Sequence, residues 1–263
     1  MQNKLKVLHV IPSVSAARGG PSKAVIEMVS ALRDINIDAE IVTTNDHGEH
    51  ELDVELGKQI QYKNVPVTFF KRFSPRIKAV REFAFSNDLR VWLKQNIDRY
   101  DVVHVHAIFS FCSSYAMYLA RKKSIPYIVR PIGQLETWSL SQSTKRKKLF
   151  LALSERKNLN QANAIHFTAE SEKQQALVAL PSLKTRVIPL GMNSQAVIEN
   201  AQQKMLAKWP LKPDVPTLLF LSRLHPKKGI ELILNALVKK TNNQVQLIIA
   251  AVSYTHLTLP TKA

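Results

Sequence analysis

The chain has 263 residues, of which 45% are hydrophobic and 22% charged, a composition typical of globular proteins and a length sufficient for two domains. Its formal net charge of +17 is uneven, because residues 1–140 carry 19 basic and 14 acidic side chains whereas residues 141–263 carry 18 and 6. This excess favours an anionic partner: nucleic acid, a phospholipid surface or a phosphorylated substrate.

Other features of the composition narrow the class of protein. The single cysteine, Cys112, excludes an internal disulfide and a metal site with several cysteines, which fits a reducing, cytoplasmic setting. Its apolar surroundings predict a small core residue. The sequence has no apolar run long enough for a transmembrane helix, and its first apolar run is interpreted as a buried strand, not a signal peptide. Without zinc-finger or RNP-type spacing, nucleic acid is disfavoured as the partner.

The N-terminal segment predicts a strand, a glycine turn and a helix. LKVLHVI, residues 5–11, is typical of a buried strand. Gly19 and Gly20 follow, and Pro21 suits the first position of a helix whose apolar residues recur at helical spacing. Strands are predicted next at 39–44, 65–70, 101–106 and 126–131, with helices at 87–97 and 113–123. This alternation predicts a doubly wound parallel sheet, in which ligands bind at the carboxyl ends of strands.

The C-terminal half continues the alternation with one interruption. A long helix is predicted over 142–161, followed by a strand at 164–169, a helix starting near Ser171 and an extended segment at 186–193. The proline-punctuated segment 208–216 is typical of a linker. Beyond it, a second unit begins with a strand at 217–224, a helix at 230–240 and a strand at 244–250.

These elements predict two α/β domains, the second of them incomplete. We assign residues 1–195 to a first Rossmann-like domain, 196–216 to a linker, 217–251 to a fragment of a second domain, and 252–263 to a tail that resembles non-native read-through. One βαβ unit cannot cover both faces of its own sheet, so we expect the second domain to be truncated.

The glycine turn is the first candidate site. It matches neither GxGxxG nor the phosphate loop GxxxxGK[ST]. Gly19 and Gly20 still place bare backbone N–H groups at the start of a helix, an arrangement that favours an anion. A tight turn that only closes the strand–helix junction is the structural alternative.

Two further candidates lie at the ends of predicted strands. His104 and His106 share one face of their strand, with His106 nearer its carboxyl end. Two histidines without a third ligand make a poor zinc site, so no metal is expected. Arg223 and Lys228 bracket a strand–turn–helix junction, where two cations suit a diphosphate. The alternative for this pair is a solvated basic turn.

These motifs occur together in an order that resembles the retaining glycosyltransferases of family 4, which have the GT-B fold of two Rossmann-like domains. The motifs are the Gly-Gly-Pro turn, DVVHVH, FTAESE, VIPLGMN and FLSRLHPKKGIELIL, and the resemblance covers about residues 5–250. It implies a hexosyltransferase-type enzyme that moves a sugar from a nucleotide-sugar to a glycan or lipid-linked acceptor with retention, in surface polysaccharide or glycolipid synthesis.

The resemblance also implies roles for the candidate residues. Arg223 and Lys228 would hold the donor diphosphate without a metal or other cofactor, and Gly19 and Gly20 would approach the donor's phosphate and sugar. His106 would contact the transferred sugar and serve in catalysis, leaving His104 structural. Arg130 would lie on the acceptor side. The family's Glu-x7-Glu element has no counterpart in this sequence, which puts the activity of this chain in doubt.

A basic segment suggests a membrane surface as a further partner. Residues 143–159, STKRKKLFLALSERKNL, contain six cations against one acid and an apolar side, as in a helix that rests on anionic lipid. A solvated helix face is the alternative. The protein would then be cytoplasmic and peripheral on the inner face of the membrane. Two other functions stay open: a dinucleotide-dependent oxidoreductase, disfavoured by the missing GxGxxG, and a non-catalytic basic module that binds surfaces.

Overall fold

The computed structural model describes residues 4–142, 149–192, 197–222, 224–239 and 245–251. Three predicted features lie outside these ranges: Arg223, the basic run 143–148 and the tail 252–263. The chain divides into two compact units, Met1–Met192 and Asn193–Ala263. In the ranges described, no helix is both long enough and apolar enough to span a bilayer.

The first unit is built on an eight-stranded sheet in the order β10-β9-β8-β7-β1-β2-β6-β5. Its strands are β1 (Lys6–Val10), β2 (Asp38–Thr44), β5 (Gln59–Tyr62), β6 (Val65–Phe70), β7 (Val102–His106), β8 (Tyr127–Arg130), β9 (Ala164–Phe167) and β10 (Thr185–Val187). All neighbours are parallel except β5, which is antiparallel to β6. The predicted parallel sheet is confirmed. Its strand order reverses at β1, which lies between β2 and β7.

Two parts of the first unit differ from the prediction. The polar stretch after β2 contains a short hairpin, β3 (Asp46–His47) with β4 (His50–Glu51), and then the edge strand β5. Neither was predicted, because these segments lack a run of apolar residues. The extended segment expected at 186–193 is a strand only as far as Val187.

Helices connect the strands and cover both faces of the sheet. They are α1 (Gly20–Asp34), α2 (Lys78–Arg81), α3 (Asn87–Asn96), α4 (Phe111–Lys122), α5 (Thr137–Ser141), α6 (Arg156–Asn160) and α7 (Glu170–Ala179). The prediction of a long helix over 142–161 is wrong at its first residue, because α5 ends at Ser141 and Gln142 has an extended backbone. A π-helical turn, Leu151–Glu155, precedes α6.

Two apolar cores lie in the first unit. One packs α1 against the strands around β1, β2 and β6 and includes Val25, Val29 and Ile41. The other includes α3, α4 and the neighbouring strands, and Cys112 lies within it. Burial raises the pKa of the Cys112 thiol, so the predicted core role of this residue is confirmed.

The π-helical turn places a carboxyl group inside the protein. Glu155 is fully buried and hydrogen bonds to Ser114, and its Oε2 has no partner in the part of the chain that the structure describes. Burial raises the pKa of Glu155 to about 7. The hydroxyl of Ser114 also lies 2.8 Å from the carbonyl oxygen of Ser110. Because a hydroxyl has a single proton, a protonated Glu155 that donates to Ser114 satisfies both contacts.

The second unit contains α8 (Ala201–Lys208), β11 (Thr217–Leu221), α9 (Ile230–Lys239) and β12 (Gln246–Ala250). The strands β11 and β12 are parallel, so the predicted βαβ unit is confirmed. The proline-punctuated segment before β11 is tied to β12 by the side chain of Gln246, which hydrogen bonds the backbone N–H and C=O of Lys212 at 2.9 and 2.8 Å.

We predict that replacing Glu155 with Gln removes a pH-dependent loss of stability. Between the ordinary carboxyl pKa of 4.5 and the folded value of about 7, the folded chain holds one proton more than the unfolded chain. Stability therefore falls as pH rises through this window, by up to about 3 kcal/mol. Urea unfolding of both proteins from pH 4.5 to 7 measures the difference. Parallel pH profiles for Glu155→Gln and the parent would contradict this account.

Candidate functional site

One cavity of the first unit lies where the strand order reverses. Its volume is about 280 Å³. Its lining comes from the segments after β1, β7 and β8 and from the glycine turn, and includes Ser13, Pro21, Ala107, Ile108, Ile132 and Gln134. Open parallel sheets bind ligands at this position, outside the carboxyl ends of the strands on either side of the reversal.

The backbone around this cavity is strained. Ala107 and Ile132 line it with φ angles of 67° and 57°, in the left-handed region. A β-branched residue such as Ile132 is a clear outlier there. Ala107 directly follows His106, and Ile132 lies two residues after Arg130. Backbone strain of this kind clusters at ligand sites.

The residues on either side of the two glycines, Arg18 and Pro21, line the same cavity. Gly19 has φ 75° and ψ −142°, a conformation that only glycine adopts readily, and it caps α1. Gly20 is exposed, its φ is not positive, and a Cβ added to it would meet no atom within 4 Å. The local structure therefore requires glycine at position 19 and leaves room for a side chain at position 20.

An ion-pair network that we did not predict holds this turn. Nε of Arg18 lies 2.6 Å from Oδ2 of Asp46, and Nη1 of Arg18 lies 2.9 Å from Oε2 of Glu82. Arg72, which is fully buried, pairs with the same Asp46 and donates to the carbonyl oxygen of Gly48 at 3.0 Å. Burial alone would lower the pKa of Arg18, but the hydrogen bonds and charge of Asp46 outweigh burial and raise it. Asp46 stands in the unpredicted hairpin, and Arg72 directly follows the run VPVTFFK.

A row of polar side chains crosses four neighbouring strands of the sheet, three of which lead into segments that line the cavity. His9 on β1 is in register with His104 on β7, and His106 is in register with Arg130 on β8. His166 on β9 completes the row, with its ring 5.7 Å from that of His104. The prediction that His104 and His106 share a face is confirmed by ring centroids 4.2 Å apart. His9 and His166 were not predicted as members.

The row is buried and largely unpaired. His106 and Arg130 are 0% and 2% exposed. Nδ1 of His9 lies 2.9 Å from Nε2 of His106. Four other polar atoms of the row have no hydrogen-bond partner among the described residues: Nε2 of His9, Nε2 of His104, Nδ1 of His106 and Nη1 of Arg130. Buried polar atoms without a partner are rare in folded proteins and call for an explanation.

Burial keeps the imidazoles neutral. It lowers the pKa of His9 to about 3, helped by the charge of Arg130, and lowers the pKa values of His104 and His106 well below the usual range. The pKa of Arg130 falls to about 10 through burial, partly offset by Glu172. Arg130 therefore remains a cation at neutral pH, next to imidazoles without charge.

The three buried imidazoles are close enough together to suggest a metal. The candidate ligand atoms of His9, His104 and His106 all lie within 4.8 Å of one another. His9 is therefore a third candidate metal ligand that the sequence analysis did not identify. However, the cationic Arg130 would repel a divalent ion. The electrostatics of the row therefore suit neutral hydrogen bonding better than metal binding.

The remaining predicted residues belong to the second unit. Lys228 is exposed in a 3-10 turn, Pro226–Lys228, that joins β11 to α9. Nδ1 of His225 accepts a hydrogen bond from the backbone N–H of Lys227 at 3.2 Å, so His225 caps this turn. Gly229 has φ 64° and lets the chain enter α9. Lys228 thus has the predicted strand–turn–helix setting, and Arg223 lies outside the described ranges.

Comparison with known proteins gives one family and a common fold. Residues 19–191 match a family described as the glycosyl transferase 4-like domain. Comparison with curated proteins gives no significant match. The chain is similar in structure to a sucrose-phosphate synthase from Thermosynechococcus elongatus (TM-score 0.68, 17% identity), with 94% of this chain and 62% of that one covered.

Two further structures show the same likeness. The catalytic domain of starch synthase IV from Arabidopsis thaliana, bound to ADP and acarbose, has a TM-score of 0.64 and 14% identity over 96% of this chain and 69% of that one. A trehalose-6-phosphate synthase has a TM-score of 0.53 and 12% identity, with coverage of 94% and 65%. At such identities the likeness shows the fold, which is GT-B. The chain spans less than two thirds of the sucrose-phosphate synthase structure.

We predict that the two glycines of the turn respond differently to alanine. Gly19→Ala forces a side chain into a disfavoured conformation and should lower the free energy of unfolding by about 1–3 kcal/mol. Gly20→Ala, at the start of α1, should leave stability unchanged or raise it by about 0.4–1 kcal/mol. Urea unfolding of both variants measures these effects. Equal stabilities for the two variants would show that the turn does not constrain residue 19.

Proposed function

The chain belongs to the family of glycosyl transferase 4-like domains, and on that premise we propose that it serves sugar transfer from a nucleotide-sugar to a glycan or lipid-linked acceptor. The transfer retains the anomeric configuration and serves surface polysaccharide or glycolipid synthesis at the cytoplasmic side of a membrane. The proposal rests on one observation: a cavity lies where the strand order reverses, and the backbone of its wall is strained at Ala107 and Ile132. These residues follow His106 and Arg130, and the cavity also contacts the residues that flank the two glycines.

The first unit supplies the acceptor side in this proposal. The cavity of about 280 Å³ receives the acceptor. Ala107 and Ile132 in its wall follow the strands that carry His106 and Arg130, to which we assign contacts with the transferred sugar and the acceptor. Its polar lining, which includes Ser13, Asp46 and Gln134, can exchange hydrogen bonds with sugar hydroxyls. Gly20 supports a role in binding the donor, since neither strain nor crowding explains a glycine at this position and close approach of a ligand does.

The donor diphosphate is assigned to Arg223 and Lys228. Lys228 is exposed immediately before a helix, so its ammonium group is available to a phosphate oxygen. The two cations would offset the negative charge that develops on the leaving nucleotide. The scheme uses no metal or cofactor, and we assign no side-chain nucleophile. The family match favours this transferase over the dinucleotide-dependent oxidoreductase.

We predict that the chain binds a nucleoside diphosphate through Lys228. Calorimetry with UDP, GDP and ADP identifies the base, and Lys228→Ala should weaken binding of the preferred one about tenfold or more, the contribution of a hydrogen bond to a charged group. Lys239→Ala, an exposed lysine at the end of α9, is the matched control and should bind like the parent. Absence of binding to all three nucleotides, or equal losses in both variants, would contradict the assignment.

An anionic membrane surface is the second proposed partner, through residues 143–159. Support comes from an aromatic groove of about 420 Å³ beside this segment, lined by the rings of Phe83, Phe111, Tyr115, Tyr118 and Phe150 and by the cations Arg121 and Lys157. Leu149, next to Phe150, is 61% exposed. Exposed apolar side chains with cations at their edge are typical of surfaces that rest on anionic lipid.

We predict that this surface binds vesicles in proportion to their anionic lipid. Lys157→Gln should lower the partition coefficient about fivefold and Arg121→Gln/Lys157→Gln about 25-fold, at about 1 kcal/mol for each cation near the bilayer surface. Lys94→Gln, an exposed lysine of α3, is the control. Co-sedimentation with neutral vesicles and vesicles rich in phosphatidylserine measures binding. Equal binding to both vesicle types would remove the membrane from the proposal.

A further inference from the structure

The hydrogen bond between His9 and His106 joins two side chains that are 97 residues apart in the chain. Nδ1 of His9 lies 2.9 Å from Nε2 of His106, and the two rings are nearly parallel, at 12°. Both side chains are fully buried, and each has one other ring nitrogen without a partner. The bond is therefore the one polar contact that these rings make within the described part of the chain.

This geometry couples the tautomers of the two rings. A neutral imidazole carries one proton, so one nitrogen donates and the other accepts. If Nδ1 of His9 donates, Nε2 of His106 is bare and the proton of His106 is on Nδ1. If Nε2 of His106 donates, the proton of His9 is on Nε2. Both rings thus carry their protons on Nδ1, or both on Nε2, and a change in one ring requires a change in the other.

We propose that His9 is a positioning residue that holds the ring of His106 and determines whether its free Nδ1 is a donor or an acceptor. The proposal rests on the proposed function, in which His106 contacts the transferred sugar. A sugar hydroxyl that needs an acceptor meets Nδ1 only when both rings are in the Nε2–H form. His9 would in this way determine whether His106 binds a sugar hydroxyl that donates a hydrogen bond or one that accepts it, although His9 itself does not contact the sugar.

The surroundings of the pair support neutral coupling. Among the described residues, the charged and titratable groups that face it are His104, Arg130 and His166, none of which is an anion. The cation of Arg130 disfavours a second positive charge on either ring, and burial removes the water that would exchange protons. A protonated imidazole pair would lose the tautomer coupling, so the electrostatics maintain the state that the proposal needs.

Nitrogen-15 NMR of the full chain with labelled histidine tests the coupling without any activity. We expect both rings to be neutral and of the same tautomer, and His9→Phe to return His106 to a mixture of tautomers. His9→Asn, whose side-chain amide can occupy the place of Nδ1, should restore a single tautomer at His106. Opposite tautomers, a cationic ring, or shifts that change when zinc is added and chelated would overturn the proposal.

A binding measurement then separates this proposal from the proposed function. With the nucleotide-sugar that matches the preferred base, His9→Phe should weaken affinity about two- to tenfold, the range for one neutral hydrogen bond, and His9→Asn should recover most of it. Affinity for the nucleoside diphosphate alone should not change in either variant. If the tautomers are coupled but no nucleotide-sugar binds, the proposed function fails and the coupling stands. If His9→Phe binds the nucleotide-sugar normally, the positioning role fails.

Discussion

A parallel sheet is covered on both faces, so a polar side chain on its central strands has to be neutral, paired or used by a ligand. The first unit places His9, His104, His106 and Arg130 under this constraint. The imidazoles satisfy this constraint because burial keeps them neutral, and one hydrogen bond links His9 to His106. Arg130 keeps its charge, and its Nη1 has no hydrogen-bond partner within the described ranges. The charge states of these residues follow from their burial, whereas the location of the candidate site follows from the reversal of strand order at β1.

The residues at the rim of the cavity remain charged. Their charges compensate one another, because Asp46 forms ion pairs with both Arg18 and Arg72. Removing one member of such a buried set leaves an uncompensated charge, at a cost of about 3–5 kcal/mol. The glycine turn is thus stabilised by ion pairs at its side, whereas the buried row contains neutral rings and one cation, Arg130.

Sequence reasoning predicted what depends on local pattern. Apolar runs identified the parallel strands, and a period of two placed His104 and His106 on one face. The order of motifs indicated a glycosyltransferase, which the match over residues 19–191 to the glycosyl transferase 4-like domain confirms. Retention at the anomeric carbon stays a prediction. His9 could not be identified, since its partner is 97 residues away and a histidine in an apolar strand has no pattern of its own. Asp46 and Arg72 were missed because their pairing depends on a hairpin without an apolar signal.

The left-handed conformations of Ala107 and Ile132 have a consequence for engineering. Glycine at either position would relieve strain in the folded state, so both are obvious targets for raising thermal stability. They are also the residues that connect the buried row to the cavity wall. A design that removes the strain would free the same backbone that fixes the shape of the pocket. Stability and shape therefore compete at these two positions, and a stabilised variant of this protein is better sought at sites far from β7 and β8.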